Sequence, residues 1–432
     1  MNYGKATINY GIINLMEKNN RIGPQVFCLE NGMHVVLAPC EAESVAVGVF
    51  VASGSRHESA RTAGISHFIE HMLFKGTPTR RPIDITRAIE GRGGNFNAMT
   101  SEESTCYFAH LPDEYLGEAI DILSDMYLRA TIPDDEFERE KHVVLEEIKM
   151  YEDEPDSVAL ENLQRSLFPK SRLGAPVAGG PKSLCPMRPD DLREYVKAHY
   201  RADNSVVVVA GNFDPMGALR IVDGAFRSLP HSRPPKKGKE PPPRAAKAVP
   251  SVTKEKDVQQ VQLALGYRTF GIRDRRKYAA SVLDAVLGRG MSSRLFQEIR
   301  EKRGLSYDIS SRMQFFSDVG MFAVTAGLDR SKADKALATI DRELGRVRDV
   351  KVSAAELSRT KEFLVGNFRL AHEKVTSKLF FYGQTMLSFG RLVTPEEQVA
   401  GIKAVTPDDI RSVARAIFTD SNRSVSWVVP KK

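Results

Sequence analysis

The sequence contains an internal repeat, which restricts the fold to a duplicated arrangement. The segment "EFEREK" at 136–141 matches "ELSRTK" at 356–361, which begins 220 residues later, and "PDDLR" at 189–193 matches "PDDIR" at 407–411, 218 residues later. A long helical pattern follows the first match in both halves, and a strand-like stretch follows the second. Two matches at nearly the same separation indicate one structural unit that occurs twice. We therefore predict two homologous domains.

Each half mixes strand-like and helix-like patterns. Stretches such as "VAVGVFVASG" and "VQLALGYRT" favour strands, whereas "DEYLGEAIDILSDMYLRA" has the periodicity of an amphipathic helix. The pair Asn31-Gly32 favours a tight hairpin turn, and no glycine-rich phosphate loop is present. These features predict an α+β fold in which each domain is a mostly antiparallel sheet packed with helices.

The charge distribution suggests where the two domains are joined. The chain of 432 residues has a net charge of +7, and the proline-rich stretch 230–256 holds eight Lys or Arg against two Glu. Such a stretch is typical of a stiff, solvated linker rather than a nucleic-acid-binding tail. We predict an N-terminal extension at 1–24, an N-terminal domain at 25–229, a linker at 230–250 and a homologous domain at 251–432, with no nucleic-acid partner.

Composition also bears on the location of the protein. No apolar run approaches the length of a membrane span, and the first residues lack the features of a secretory signal. The four cysteines have no CxxC spacing and are too few for a disulfide framework in a chain of this size. We predict a cytoplasmic protein without a membrane partner.

The stretch "HFIEH" suggests half of a metal site. On a helix, His67 and His71 would lie about 40° apart around the axis and roughly 6 Å apart along it, so both rings could reach one ion. Glu70 would share the face of His67 and hang beside the ion without having to bind it. A solvent-facing helical turn is the alternative. A catalytic zinc ion needs three protein ligands, so a third must come from elsewhere.

The segment 133–151 offers two acidic candidates for that third ligand. Its helical periodicity places Glu140 and Glu147 within an apolar stripe and Glu146 on the opposite side. The stripe consists of Phe137, Val144, Ile148 and Tyr151. Buried carboxylates are costly unless they pair with a cation or bind an ion, and periodicity alone does not choose between the two glutamates. The second copy has Thr360 and Asn367 at the equivalent positions.

These residues resemble a known family. A His-x-x-Glu-His motif followed by a glutamate about 76 residues later resembles the inverted zinc motif of peptidase family M16, the pitrilysin and insulin-degrading enzyme group. The resemblance extends from about Val26 to Pro430 and is strongest to bacterial peptidases of the mitochondrial processing peptidase type. In such proteins a chain of this length forms half of a clamshell.

The resemblance implies a role for each residue of the site. His67, His71 and Glu147 correspond to the ligands of Zn²⁺, and Glu70 corresponds to the general base and proton shuttle. Glu140 corresponds to the second acid of the family, which supports the site without binding the metal. The family spacing thus selects Glu147 as the third ligand.

The second half carries a further match in "SSRLFQEIREKRGLSYDISS" at 292–311. Taken alone, it is a basic amphipathic helix that runs into a strand, for which a solvated face is the simplest interpretation. Similar segments of the family supply an arginine and a tyrosine that grip the substrate and stabilise the tetrahedral intermediate, which implies these roles for Arg300 and Tyr307. The resemblance also implies a homodimer with composite active sites, in which one subunit delivers this pair to the other.

A last match concerns substrate binding. The segment "GGNFNAMTSEEST" at 93–105 resembles the edge strand that accepts substrate in the family, which assigns substrate contacts to the backbone of Asn97, Ala98 and Met99. A purely structural hairpin is the alternative.

The resulting hypothesis is a zinc endopeptidase that cleaves peptides or small unfolded polypeptides with metal-activated water inside a dimeric chamber. The competing hypothesis is a catalytically silent structural or peptide-binding subunit of the same fold.

Overall fold

The computed structural model describes residues 11–13, 23–230 and 251–431. Most of the predicted N-terminal extension, and the predicted linker beyond Pro230, lie outside the described residues. Among the described residues, no helix has both the length and the apolar character needed to cross a membrane.

Two β-sheets organise the described part of the chain. The first sheet has seven strands in the order β1-β2-β3-β7-β4-β6-β5, and the second has five in the order β10-β11-β9-β12-β8. All neighbouring strands are antiparallel except β3/β7 and β12/β8. The strands are β1 Gly11–Ile13, β2 Gln25–Cys28, β3 His34–Pro39, β4 Ser44–Val51, β5 Asn95–Thr100, β6 Thr105–Pro112, β7 Ser205–Gly211, β8 Val252–Lys256, β9 Val261–Phe270, β10 Ser306–Phe315, β11 Val319–Leu328 and β12 Arg423–Pro430.

Helices separate groups of consecutive strands in each half. The α-helices are α1 Ile65–Leu73, α2 Pro82–Glu90, α3 Leu116–Arg129, α4 Asp134–Asp153, α5 Pro155–Leu167, α6 Pro181–Leu184, α7 Pro189–His199, α8 Pro215–Phe226, α9 Lys277–Gly288, α10 Ala333–Asp349, α11 Ala354–Glu373, α12 Val375–Phe389, α13 Pro395–Ala404 and α14 Pro407–Ile417. A π-helical segment spans Phe296–Glu301. Short 3-10 helices occur at Ser55–His57, Asp113–Tyr115, Arg172–Gly174, Ala202–Asn204, Arg330–Lys332 and Asp420–Asn422.

The predicted fold class is confirmed, because both sheets are mostly antiparallel and packed with helices. Strands β2 and β3 pair across the turn that contains Asn31 and Gly32, and Gly32 has a φ of +88°, which a glycine adopts without strain. Strand β7, with the sequence "SVVVVAG", is buried along its whole length in the middle of the first sheet. A continuous run of valines suits such a position, because both faces of the strand are covered.

The chain divides into two compact units, each assembled from three segments. Within the described residues, the first unit comprises 11–13 together with 23–144, then 177–230 and Ala371–Leu392, and the second comprises Leu145–Pro176, 251–370 and 393–431. Helix α4 is continuous through the junction at Val144 and Leu145.

Each unit includes a helix that comes from the other half of the sequence. In the first unit, α12 covers the first sheet, and its Leu379 and Tyr382 share a buried cluster with Phe50 of β4. In the second unit, α5 covers the second sheet, and its Leu163 shares a buried cluster with Met321 of β11. The two sheets therefore complete their cores by a reciprocal exchange of helices. Two domains that are each continuous in sequence would not contain these exchanged helices.

Candidate metal centre

Helix α1 carries the two histidines and begins with a defined cap. Gly64 precedes it with a φ of +92°, and the buried carboxylate of Glu58 accepts hydrogen bonds from the backbone N–H groups of Gly64, at 2.8 Å, and Ser66, at 2.9 Å. A carboxylate at this end satisfies N–H groups that have no partner within the helix and interacts favourably with the helix dipole. Residues Phe68, Ile69 and Met72 are buried, which fixes the rotation of α1 about its axis.

The structure brings together the three residues that the sequence nominates as metal ligands. One donor atom each from His67, His71 and Glu147 lies within 4.8 Å of the other two, and all three residues are half-buried. The two imidazole rings are 4.7 Å apart between centroids. Two imidazoles and a carboxylate form a donor set that catalytic zinc sites use, with one coordination position left for water.

Helix α4 supplies the acids of this site. Glu140 is 7% exposed and Glu147 is half-buried, whereas Glu146 is exposed, so the predicted orientation of the three acids agrees with the structure. Phe137 and Val144 of the predicted apolar stripe are fully buried. The inclusion of Tyr151 in that stripe is wrong: its side chain is 44% exposed. The helix ends two residues later, at Asp153.

Glu140 contacts one of the histidines and a lysine. Its Oε1 lies 2.9 Å from Nδ1 of His71, and its Oε2 lies 2.5 Å from Nζ of Lys75. Burial disfavours the charged carboxylate, but hydrogen bonds from His71 and Lys75 outweigh burial and hold the pKa of Glu140 below its usual value. A carboxylate on Nδ1 orients the imidazole and raises its basicity as a metal ligand. The sequence left open whether each inward acid pairs with a cation or binds an ion. Glu140 pairs with a cation, Lys75.

Lys75 was not identified from the sequence. It follows α1, four residues after His71, and nothing in its local pattern separates it from other surface lysines. The available signal was its spacing, because a residue at i+4 from His71 lies on the same helical face if the helical path continues.

Glu70 contacts strand β5, which is not part of the metal motif. Its Oε2 accepts a hydrogen bond of 2.6 Å from Oγ1 of Thr100, the last residue of β5. Thr100 was also missed in the sequence, although it directly follows the predicted substrate contacts.

Strand β5 lies at the edge of the first sheet, with β6 as its neighbour. Asn97 and Met99 are exposed and Ala98 is half-buried, in the alternation expected of a strand with one covered face. The backbone N–H of Ala98 donates to Oδ1 of Asn97 at 2.8 Å. An edge strand of this kind can pair with an extended peptide through its backbone groups.

Arg300 and Tyr307 form a pair in the second unit. The guanidinium of Arg300, on the π-helical segment, lies 4.6 Å from the centre of the Tyr307 ring on β10, and 4.7 Å from that of Phe296. The side chain of Tyr307 is 80% exposed. The cation–π contact holds an arginine beside an accessible phenol.

Models of one protein family match both halves of the chain. The model of the family "Insulinase (Peptidase family M16)" matches residues 34–180, and the model "Peptidase M16 inactive domain" matches residues 186–364. An uncharacterized zinc protease of Bacillus subtilis is 35% identical over 395 residues, which cover 91% of this chain and 95% of that protein. An uncharacterized zinc protease of Mycobacterium tuberculosis is 35% identical over 401 residues, which cover 92% of this chain and 91% of that protein.

Solved structures share the fold. A protease from Helicobacter pylori superposes with a TM-score of 0.87 at 21% identity, covering 94% of this chain and 99% of that chain. A protein from Pseudomonas fluorescens, described as a peptidase M16 inactive domain, has a TM-score of 0.88 at 19% identity, covering 95% of this chain and 98% of that chain. The family resemblance found in the sequence is thereby confirmed, and the chain belongs to peptidase family M16.

Proposed function

We propose that this protein is a zinc-dependent endopeptidase that cleaves peptides or small unfolded polypeptides. The observation that carries the proposal is the convergence of donor atoms from His67, His71 and Glu147 within 4.8 Å. The residues fit a zinc ion because the donor set has the right chemistry and because His71 has the outer carboxylate contact that zinc-binding histidines make. The names of the relatives, uncharacterized zinc proteases, agree with this metal.

In the proposed reaction, Glu70 is the general base. When bound, zinc supplies a Lewis acid that activates water and polarises a carbonyl group. Glu70 removes a proton from the attacking water and returns it to the leaving amine, which is the work of a general acid–base pair in one residue. Oε2 of Glu70 accepts a hydrogen bond from the hydroxyl of Thr100.

The substrate in this proposal is an extended peptide that pairs with β5. Asn97, Ala98 and Met99 are in the middle of an edge strand, where backbone groups can pair with an incoming chain. Pairing through backbone groups does not depend on the side chains of the substrate. A folded protein is therefore excluded as a substrate because it has no free extended segment, whatever its sequence. This supports a preference for peptides and unfolded chains.

We also propose a homodimer that encloses a chamber, with Arg300 and Tyr307 delivered from one subunit to the site of the other. The exposure of Tyr307 and its contact with Arg300 support a pair that is arranged in advance to meet a substrate. Positioned donors of this kind stabilise the oxyanion of a tetrahedral intermediate. The cytoplasmic location and the absence of a nucleic-acid partner stay predictions.

The experiment that tests the proposal is peptide cleavage followed by mass spectrometry, with measurement of bound zinc. We expect Glu70→Gln to retain zinc and lose cleavage, and Glu147→Ala to lose both. His142→Ala is the matched control, because His142 is exposed on the same helix as Glu147. Zinc-loaded wild-type protein that cleaves nothing would instead support the catalytically silent subunit.

Mixing two inactive variants tests the composite site. One variant carries Glu70→Gln and the other carries Tyr307→Phe together with Arg300→Ala. In a mixed dimer with composite sites, one of the two sites regains an intact Glu70 and an intact Arg300–Tyr307 pair, so random exchange restores about a quarter of the wild-type activity. Mixtures as inactive as the separate variants would show that each chain uses its own pair.

A further inference from the structure

Strand β5 presents two different faces. Asn95, Asn97 and Met99 are exposed, whereas Phe96 and Thr100 alternate with them and are half-buried. On the covered face, the Phe96 ring lies 5.2 Å from that of Phe74, at the end of α1. The same face carries the hydroxyl of Thr100, which donates to Oε2 of Glu70 at 2.6 Å. Two contacts therefore attach β5 to the helix of the metal motif.

The backbone and the β-branched shape of Thr100 restrict the position of its hydroxyl. Thr100 pairs with Thr105 of β6, so its backbone belongs to the sheet. A β-branched side chain has restricted χ1 freedom, and that restriction limits the directions in which Oγ1 can point. The hydroxyl therefore restricts the rotation of the Glu70 carboxylate. The glutamate side chain is long and flexible, and its own rotamers do not fix that rotation.

We propose that Thr100 is a positioning residue for Glu70 and that it links the peptide-binding strand to the general base. The inference rests on the proposed function, because it assigns Thr100 a part in the reaction of the same site. Residues Asn97 to Met99 immediately precede Thr100 on β5. A peptide that pairs with these residues holds the strand in place, and through Thr100 it also holds the carboxylate that must accept the proton.

This link predicts an effect on the rate of the chemical step rather than on substrate affinity. An incorrectly oriented base lowers the fraction of bound substrate that can react, whereas the backbone pairing at β5 is unchanged. Small errors in the placement of a reacting group cost up to about 100-fold in rate. We therefore expect a lower kcat and an unchanged KM when the hydroxyl is removed.

The test compares Thr100→Val, which keeps the branched shape and removes the hydroxyl, with Thr100→Ser, which keeps the hydroxyl. We expect Thr100→Val to lower kcat by about 10- to 100-fold with KM changed by less than about twofold, and Thr100→Ser to restore most of the rate. Bound zinc should equal that of the wild type in both variants. In a Glu70→Gln background, Thr100→Val should cause no further loss of cleavage.

Thr105→Val provides the matched control. Thr105 is the strand partner of Thr100, and its buried hydroxyl donates to the carbonyl of Ser53 at 2.9 Å instead of to Glu70. We expect this variant to lower the Tm and leave kcat unchanged. Wild-type cleavage together with an unchanged kcat in Thr100→Val, or a Thr100→Ser variant as slow as Thr100→Val, would overturn this inference alone. Zinc-loaded wild-type protein without any cleavage would overturn both this inference and the proposed function.

Discussion

Replacement of Glu140 by glutamine should weaken zinc binding without removing a ligand. The change keeps the size of the side chain but removes the charge that faces Nδ1 of His71, at 2.9 Å, and Nζ of Lys75, at 2.5 Å. Glu140 is only 7% exposed, so water cannot replace these contacts efficiently. The hydrogen bond to His71 then changes from a charge-assisted bond to a neutral one, and the imidazole becomes a weaker donor to the metal.

Two independent arguments give the same magnitude. A hydrogen bond to a charged group contributes about 1.5–3 kcal/mol, of which the neutral amide of glutamine retains part. Removal of an outer carboxylate from a zinc-binding histidine lowers metal affinity by about 10- to 100-fold, which equals about 1.4–2.7 kcal/mol. We therefore expect the zinc Kd of Glu140→Gln to rise by about 10- to 100-fold.

The measurement is a zinc titration in competition with a chromophoric chelator at neutral pH. Glu138→Gln is the control: Glu138 lies on the same helix, is largely exposed and pairs with Lys141 at 2.9 Å instead of with a histidine of the site. The control should bind zinc like the wild type. A Kd for Glu140→Gln within about threefold of the wild-type value would refute the reasoning, because the Glu140–His71 contact would then have no part in metal binding.

Two further predictions concern stability. Asp125 is fully buried and accepts hydrogen bonds from Arg80, Thr77 and Arg129; burial alone would raise its pKa, but these partners lower it. The stabilisation is therefore complete above the unfolded-state pKa of about 3.9 and is lost as the pH falls through the lower folded-state pKa. Asp125→Asn should lose about 3 kcal/mol in urea unfolding at neutral pH and progressively less as the pH is lowered below about 3.9, and a difference independent of pH would contradict this. Gly64→Ala should lower the free energy of unfolding by about 1–3 kcal/mol, because its φ of +92° strains any residue with a Cβ; an unchanged urea midpoint would exclude that strain.

Local patterns predicted much of the fold and of the candidate site. The spacing of His67 and His71 indicated one helical face, and the structure places both on α1 with their rings 4.7 Å apart. The periodicity of α4 predicted that Glu140 faces inward and Glu146 outward. Such patterns succeed because the side chains of one helix keep fixed relative directions, whatever the rest of the chain does.

Contacts between distant elements could not be predicted in the same way. Thr100 and Lys75 are ordinary residues in their local sequence, and only the packing of β5 and α1 brings the Thr100 hydroxyl to Glu70. The helical stripe of α4 included Tyr151 because periodicity does not reveal where the covering elements end. Likewise, the apolar faces of α5 and α12 indicate that each helix is buried, but they do not specify which sheet it covers.

The reciprocal exchange of α5 and α12 has a consequence for synthesis of the chain. A ribosome makes the seven strands of the first sheet well before it reaches Val375, the first residue of the helix that covers β4 and β7. Until then, one apolar surface of that sheet has no permanent cover. Domains generally fold from the N-terminus during synthesis, but this sheet cannot complete its core until α12 has been made. A nascent chain stalled before residue 375 should therefore depend on chaperones, and a gene cut at the duplication boundary would not yield two independently stable halves.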